Sequence, residues 1–328
     1  MPKIVGKKSV LDGIKLDGSH DVFRELYVRQ KQAVWFPEEI NIQQDVMDYE
    51  SLNDDERRLF HDLIGYFVTS ELLVQNVLWE AFYPYIVHPH AKMAMTVQMF
   101  MEDIHSDFFE MILNTFSMDR KQMYEKTTID PLLKQKQALV AQAADAISIG
   151  AGNIIDPDTL EGKKKILYAI LVNNILQEGI FFYSAFTLYF AMRETGKMKN
   201  VNNGVDLVLI DESFHLQLGI ELILAMLEET PQLTEDEQFV EKVRKTLTDG
   251  VELELKFLKR HFENHVVFGV SYEEMEWYLK FITDRRLEEL GFAPYFGVDK
   301  NPIKWLEKQD LMVLQNFFET TPNQYTNF

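Results

Sequence analysis

Apolar residues recur at helical spacing along most of the chain, and the alternating pattern that is typical of strands is scarce. Only 10 prolines and 15 glycines interrupt the 328 residues. Gly150 and Gly152 fall in the segment 147–157, which we interpret as the main connection between helices. The pattern predicts an all-α protein built as one large domain rather than two.

Helix starts are marked by capping boxes, in which the side chains at the two ends of the first turn satisfy free backbone N–H groups. Four boxes are predicted, from Asn53 with Glu56, Asp158 with Glu161, Thr234 with Glu237 and Ser271 with Glu274. Two further helices are predicted to begin near Pro89 and after the segment 202–204.

One predicted helix stands out because Glu178 is the only charged residue between Lys165 and Arg193. A run of this length could cross a membrane. However, two asparagines and a glutamine lie in its middle, close to the glutamate, and such groups are costly at bilayer depth. We therefore favour a helix of the protein core, in which Glu178 is buried for a chemical reason.

A pattern of one glutamate followed later by Glu-x-x-His occurs twice. Each lone glutamate lies in an apolar helix, and each pair places a carboxylate beside an imidazole, because residues i and i+3 share a helix face. The two sets are Glu71, Glu102 and His105, and then Glu178, Glu212 and His215.

Two such sets facing each other in a four-helix bundle would bring together four carboxylates and two imidazoles. This is the ligand set of dinuclear iron and manganese centres. Four buried carboxylates without counter-charge would take up protons instead, whereas two divalent ions would neutralise them. Carboxylate oxygens with one imidazole per ion suit iron or manganese better than copper or structural zinc.

The repetition is what carries this argument, since a single Glu-x-x-His is common on solvated helix faces. The remaining histidines lack such a pattern, and we interpret them as structural. His88 and His90 are expected at a turn, and His261 and His265 on an exposed face of a charged helix.

Composition narrows the partners and the compartment. The formal net charge of −19 argues against nucleic acids and anionic membranes, since both need a basic face. There are no cysteines, which removes disulfides and thiolate chemistry and is compatible with a reducing cytoplasm. We expect a cytoplasmic protein with no nucleic-acid and no membrane partner.

Taken together, these motifs resemble the small subunit (R2, or beta) of class I ribonucleotide reductase. The resemblance covers nearly the whole chain, from 35–40 to 316–320, and includes EDIHS at 102–106 and DESFH at 211–215. It implies a ferritin-like helical bundle with a dinuclear metal site in its four-helix core. It also implies that the two repeated sets are the six metal ligands.

The resemblance further implies a path for radical transfer. Trp35 and Asp211 match the residues that connect the metal centre, through His105, to the subunit surface. Tyr325 matches the tail tyrosine that passes the radical to the large subunit. The implied cofactor is a dinuclear centre for which we favour Mn/Fe, with Fe/Fe and Mn/Mn as alternatives.

Position 109 departs from the usual family pattern, in which a tyrosine holds a stable radical. Phe109 has no phenolic proton to lose, and Phe182, Phe186 and Val208 match the apolar pocket around that position. Glu71 also stands where many relatives have aspartate. Both features resemble class Ic, known from chlamydial enzymes, in which a Mn(IV)/Fe(III) cofactor stores the oxidising equivalent.

The implied organisation is an R2 domain at 1–300, with a flexible N-terminus at 1–20, and a C-terminal segment at 301–328 that docks on the large subunit. The implied activity is that of a ribonucleoside-diphosphate reductase subunit that supplies deoxyribonucleotides for DNA synthesis, as a homodimer bound to the large subunit. Two alternatives remain open. An R2-like ligand-binding oxidase shares the ligands and a Mn/Fe site but does not need the tail, and a ferritin-like iron store has chains about half as long.

Overall fold

The computed structural model describes residues 3–7, 20–153, 155–263 and 265–306. Within these ranges the regular elements are helices, and the β-pairing is limited to two isolated bridges. The predicted all-α fold is confirmed. Tyr325 lies outside the described residues, as does the predicted docking segment after residue 306.

The described chain forms helices of very different length. They are α1 (Asp21–Ala33), α2 (Val46–Ser51), α3 (Asp54–Val77), α4 (Pro89–Thr115), α5 (Arg120–Ile129), α6 (Pro131–Asp145), α7 (Leu160–Ile170), α8 (Tyr183–Glu194), α9 (Lys199–Glu229), α10 (Gln232–Glu235), α11 (Glu237–Phe262) and α12 (Tyr272–Glu289). A π-helical turn, Leu78–Phe82, extends α3, and a longer π-helical segment, Leu171–Phe182, joins α7 to α8. Short 3-10 turns at Pro37–Glu39 and Ile42–Asp45 lie between α1 and α2.

Two of the four predicted capping boxes are confirmed, those that begin at Asn53 and at Ser271. The other two are wrong. Helix α7 is capped by Thr159 and helix α11 by Asp236, whose side chains accept hydrogen bonds from the first turn. In both cases another capping residue lies one or two positions further on, and spacing alone does not choose between them.

Helix α9 also begins earlier than predicted, at Lys199, so that the segment 202–204 lies inside it. A glycine inside a helix normally weakens it. Here Gly204 is explained by packing, because the ring of Phe108 on α4 occupies the space that a side chain at this position would need. The prediction failed because the close approach of two helices is not visible in the sequence.

The core of the bundle consists of α3, α4, α9 and the π-helical segment. Helix α3 packs on α4, α4 on α9, and α9 on the π-helical segment. The continuous helix from Leu160 to Glu194 is, among the described residues, the one that is long and apolar enough to cross a membrane, but 89% of its most apolar window is buried. The interpretation as a core helix is confirmed.

One expectation about histidines is wrong. His261 is buried at 1% exposure, with its Nε2 atom 3.2 Å from Oδ2 of Asp62, whereas His265 is exposed, as predicted. The strongly charged sequence of α11 conceals a second polar cluster inside the protein. The helix predicted near Pro89 begins there, with the His88 side chain as its cap.

Candidate metal centre

The four core helices bring all six predicted ligand residues together, and each is fully buried at 0% exposure. The i, i+3 spacing of the two Glu-x-x-His pairs turns both of their side chains toward the interior. Glu71 comes from α3, Glu102 and His105 from α4, Glu178 from the π-helical segment, and Glu212 and His215 from α9.

Four of these residues form a compact group. Glu71, Glu102, His105 and Glu212 each offer a ligand atom, and these atoms all lie within 4.8 Å of one another. His105 Nδ1 is 3.2 Å from Glu212 Oε1 and 3.5 Å from Glu102 Oε2. His215 Nδ1 is 3.0 Å from Glu102 Oε1 and 3.4 Å from Glu212 Oε1. Glu102 and Glu212 therefore lie between the two imidazoles, where both carboxylates would be available to bound cations.

Several polar atoms of the centre lack hydrogen-bond partners among the described residues. Both oxygens of Glu71 and of Glu212 are buried without one, as are Nδ1 of His105 and both ring nitrogens of His215. Their close approaches to one another are not aligned as hydrogen bonds. Buried polar groups are almost always satisfied in folded proteins. Cations placed among these oxygen and nitrogen atoms would satisfy them, so the residues fit a dinuclear metal centre.

The charge of the centre leads to the same conclusion. Within the described residues, Glu71, Glu102 and Glu212 form ion pairs with histidines, and none of the four glutamates is paired with a lysine or an arginine. Burial raises the pKa of Glu71 and of Glu178 well above the ordinary value, because the charged carboxylate has lost its water. Burial acts on Glu102 too, but the imidazoles of His215 and His105 outweigh it and lower its pKa. The centre needs positive charge, which protons or metal cations can supply.

Glu178 differs from the other glutamates because amide groups surround it. Its Oε1 accepts a hydrogen bond from Asn173 Nδ2 at 2.8 Å, and its Oε2 accepts one from Asn174 Nδ2, also at 2.8 Å. Gln98 Nε2 lies 3.5 Å from Oε1. In the sequence the two asparagines stand out only as polar residues in an apolar run, and their hydrogen bonds to Glu178 were not predicted. The wider π-helical turn allows side chains five and four positions before Glu178 to reach the same carboxylate.

Trp35 and Asp211 lie beside the centre and form one continuous chain with it. The Trp35 indole N–H donates to Asp211 Oδ2 at 2.8 Å, and the same oxygen is 3.1 Å from His105 Nε2. All three side chains are buried. A carboxylate at Nε2 holds the proton on that nitrogen, which leaves Nδ1 to face the glutamates.

Aromatic rings pack around position 109. Phe109 is fully buried and stacks on Phe67 with ring centroids 4.6 Å apart. The rings of Phe182 and Phe186 lie 4.9 and 5.5 Å from Phe67, and Val208 is also fully buried. Phe67 is the ring that connects the others, and it was not predicted from the sequence. It lies one helical turn before Glu71 on α3, and this spacing could have identified it.

Comparisons with known proteins agree with this geometry. The family model described as "Ribonucleotide reductase, small chain" matches residues 17–302. The ribonucleoside-diphosphate reductase subunit beta of Chlamydia pneumoniae is 29% identical over 298 residues, which are 89% of this chain and 83% of that protein.

Solved structures show the same fold. The ribonucleotide reductase R2 subunit from Clostridium botulinum has a TM-score of 0.81 at 22% identity, and the match covers 94% of each chain. A variant of an R2-like ligand-binding oxidase with an aerobically reconstituted Mn/Fe cofactor has a TM-score of 0.66 at 18% identity, with 85% of this chain and 96% of that chain covered. The expected ferritin-like bundle is confirmed.

Proposed function

This chain belongs to the ribonucleotide reductase small-chain family, and on that premise we propose that it is the radical-generating subunit of a class I enzyme of the class Ic type. As a small subunit of ribonucleoside-diphosphate reductase it is part of an oxidoreductase. A dinuclear centre, Mn/Fe in this proposal with Fe/Fe and Mn/Mn as alternatives, would store the oxidising equivalent that starts ribonucleotide reduction in a large subunit. The enzyme would supply deoxyribonucleotides for DNA synthesis in the cytoplasm.

The observation that carries the proposal is the pairing of an unsatisfied carboxylate–imidazole cluster with a phenylalanine at position 109. Phe109 is buried among aromatic rings and has no ionisable group. Tyr189 lies close by, with its ring 6.0 Å from that of Phe67, but its hydroxyl is buried without a hydrogen-bond partner among the described residues. Oxidation of a phenol releases a proton, and no described residue is hydrogen-bonded to the Tyr189 hydroxyl to accept it. This supports a metal centre, rather than a tyrosine, as the place of the oxidising equivalent.

The residues beside the centre have separate tasks in this proposal. Trp35 would exchange electrons with the large subunit, and its indole proton has an acceptor in Asp211, 2.8 Å away. Asp211 also fixes the orientation of His105, since one carboxylate oxygen contacts both rings. The aromatic cluster around Phe109 excludes water from the other side. Such exclusion protects an oxidant from stray reductants.

Two partners belong to the proposal. Tyr325 in the tail would pass the radical to the large subunit. A second copy of the chain would cover the exposed apolar side chains of α3, its π-helical extension and α4, which include Leu72, Trp79, Met93 and Phe100. Trp79 is 59% and Phe100 47% exposed, and apolar surface of this kind marks interaction sites. Light scattering on the full chain tests whether it is a homodimer. We expect Trp79→Glu to shift the equilibrium between dimer and monomer toward the monomer.

Reconstitution tests the function. The purified chain is loaded with Mn(II) and Fe(II) in the presence of oxygen and is mixed with the large subunit encoded by the same organism. We expect deoxyribonucleotide formation that needs both subunits and both metals. A metal-loaded protein that has no reductase activity and carries a tightly bound long-chain lipid would instead favour the R2-like ligand-binding oxidase.

A further inference from the structure

The two halves of the centre do not offer their ligands equally. The compact group of Glu71, Glu102, His105 and Glu212 has its ligand atoms within 4.8 Å of one another, and both oxygens of Glu71 and of Glu212 lack hydrogen-bond donors among the described residues. Gln98 Nε2 reaches Glu102 Oε1 only at 3.5 Å, the outer limit of a hydrogen bond. Glu178 is the exception, because each of its oxygens accepts a hydrogen bond of 2.8 Å from an asparagine.

We propose that Asn173 and Asn174 form an amide clamp that withholds Glu178 from the metal position it shares with His215, so that this position binds its ion more weakly than the compact group does. The inference rests on the proposed metal centre. An amide N–H and a metal ion compete for the same carboxylate lone pairs. A cation at this position must therefore displace hydrogen bonds to a charged group, which are among the stronger hydrogen bonds in proteins.

The surroundings hold the clamp in place. Asn174 packs against Gly219 of α9, where any larger residue would collide with its side chain, and its amide also lies 3.4 Å from the backbone oxygen of His215. Gln98 of α4 contributes less, because its Nε2 lies 3.5 Å both from Glu178 Oε1 and from Glu102 Oε1. Amide donors from two core helices therefore point at one carboxylate. Two unequal positions are what a centre needs if it is to take up two different metals in a defined order.

The experiment is an anaerobic calorimetric titration of the full-length chain with Mn(II), which gives two dissociation constants. Unequal constants in the wild type are not sufficient evidence, because the first cation also repels the second. The informative variant is Asn173→Leu, which keeps the side-chain volume and removes one clamp donor. We expect the second dissociation constant to fall roughly tenfold and the first to stay within about twofold.

Gln177→Leu is the matched control. Gln177 is fully buried in the same π-helical segment, and its amide has no hydrogen-bond partner among the described residues. Removal of this amide is expected to leave both constants unchanged. Asn173→Ala is the second variant, for the case in which leucine prevents folding, as judged by circular dichroism.

The outcomes separate this inference from the proposed function. Suppose that a folded Asn173 variant still binds two ions but its second dissociation constant is equal to or higher than that of the wild type. This result overturns the clamp and leaves the metal centre intact. The same fall in Gln177→Leu also overturns the clamp, because the effect would then be a general loosening of the helix. A wild-type chain that binds no Mn(II) would overturn the metal centre, and the clamp with it.

Discussion

Helix α3 carries a buried carboxylate in each of two regions, and these carboxylates have opposite surroundings. Asp62 is surrounded by cationic side chains. Lys126 donates a short hydrogen bond to it, Arg260 Nη2 lies 3.0 Å from its Oδ2, and His261 Nε2 lies 3.2 Å away. Glu71, further along the same helix, has neither a lysine nor an arginine partner among the described residues, and both its oxygens lack a hydrogen-bond donor.

The difference separates a structural cluster from a candidate functional one. Burial alone would raise the pKa of Asp62, but the close approach of His261 and the ion pair with Lys126 outweigh it and lower the pKa to about 2. Burial raises the pKa of Glu71 well above the ordinary value. The first carboxylate is neutralised by the protein itself and stabilises the fold. The second is kept at a cost in stability, which a bound cation would remove.

The strongest test of this comparison is Glu102→Ala. Glu102 lies between the two imidazoles, with one oxygen 3.0 Å from His215 Nδ1 and the other 3.5 Å from His105 Nδ1. We expect loss of both metal ions and of all activity with the large subunit, while the helical fold is retained. Elemental analysis, the reductase assay and circular dichroism measure the three quantities.

Glu110→Ala is the control on the same helix. Glu110 interacts with Tyr124 and Arg120 outside the centre, so its removal should leave the metal content unchanged. Two metal ions bound to Glu102→Ala would show that the buried cluster is not the metal centre.

Tyr325→Phe separates the centre from its connection to the partner. The substitution removes only the phenolic hydroxyl, so the metal content should stay at the wild-type value. Reductase activity should disappear, because phenylalanine cannot carry the radical to the large subunit. Full turnover by this variant would rule out the proposed path, while normal metal content with no turnover would support it.

Asp62→Asn tests the structural cluster. We expect the free energy of unfolding to fall by about 2 kcal/mol, because the lowered pKa of Asp62 measures how strongly its cationic partners favour the charged form. Metal content should not change. Urea unfolding gives the free energy, and Asp249→Asn, at an exposed ion pair with Lys245, is the control with an expected change below about 0.5 kcal/mol. Loss of metal in Asp62→Asn would show that the cluster around Asp62 is not separate from the metal centre around Glu71.

The smallest predicted effect is a pH dependence in the same region. Burial, together with Lys126 and Arg57, lowers the pKa of His61 from 6.5 to about 4. The unfolded chain therefore binds a proton between these values and the folded chain does not, so stability is lost as the pH falls from 6.5 to 4. Wild type should lose about 1 kcal/mol more than His61→Gln across this range, after allowance for solvent screening. Urea unfolding of both proteins at pH 4.5 and 7 measures this difference. An equal change of the unfolding midpoint in wild type and His61→Gln would contradict the prediction.

The sequence was sufficient where a pattern repeats. Helix periodicity places Glu102 with His105, and Glu212 with His215, on one helix face each, and the repeated pattern predicts that the two sets meet. The Asp62 network was missed because Lys126 and Arg260 come from α5 and α11, and no spacing along the chain places them beside α3. His261 was assigned to an exposed face because its neighbours are charged, although contacts between helices bury it.

The clamp on Glu178 was missed for a different physical reason. In an α-helix, residues at i and i+4 share a face but those at i and i+5 do not. The π-helical register brings both Asn173 and Asn174 onto one carboxylate, and a sequence pattern does not reveal that register. Positions that depend on an unusual backbone turn or on helices distant in sequence need the structure.

In the proposed mechanism the oxidising equivalent resides on metals held by the six buried ligands and not on a side chain at position 109. The decisive experiment is elemental analysis combined with electron paramagnetic resonance on the active protein. We expect two metal ions per chain, manganese together with iron, and no persistent tyrosyl radical in samples that turn over. A persistent tyrosyl signal whose amount follows activity would contradict it.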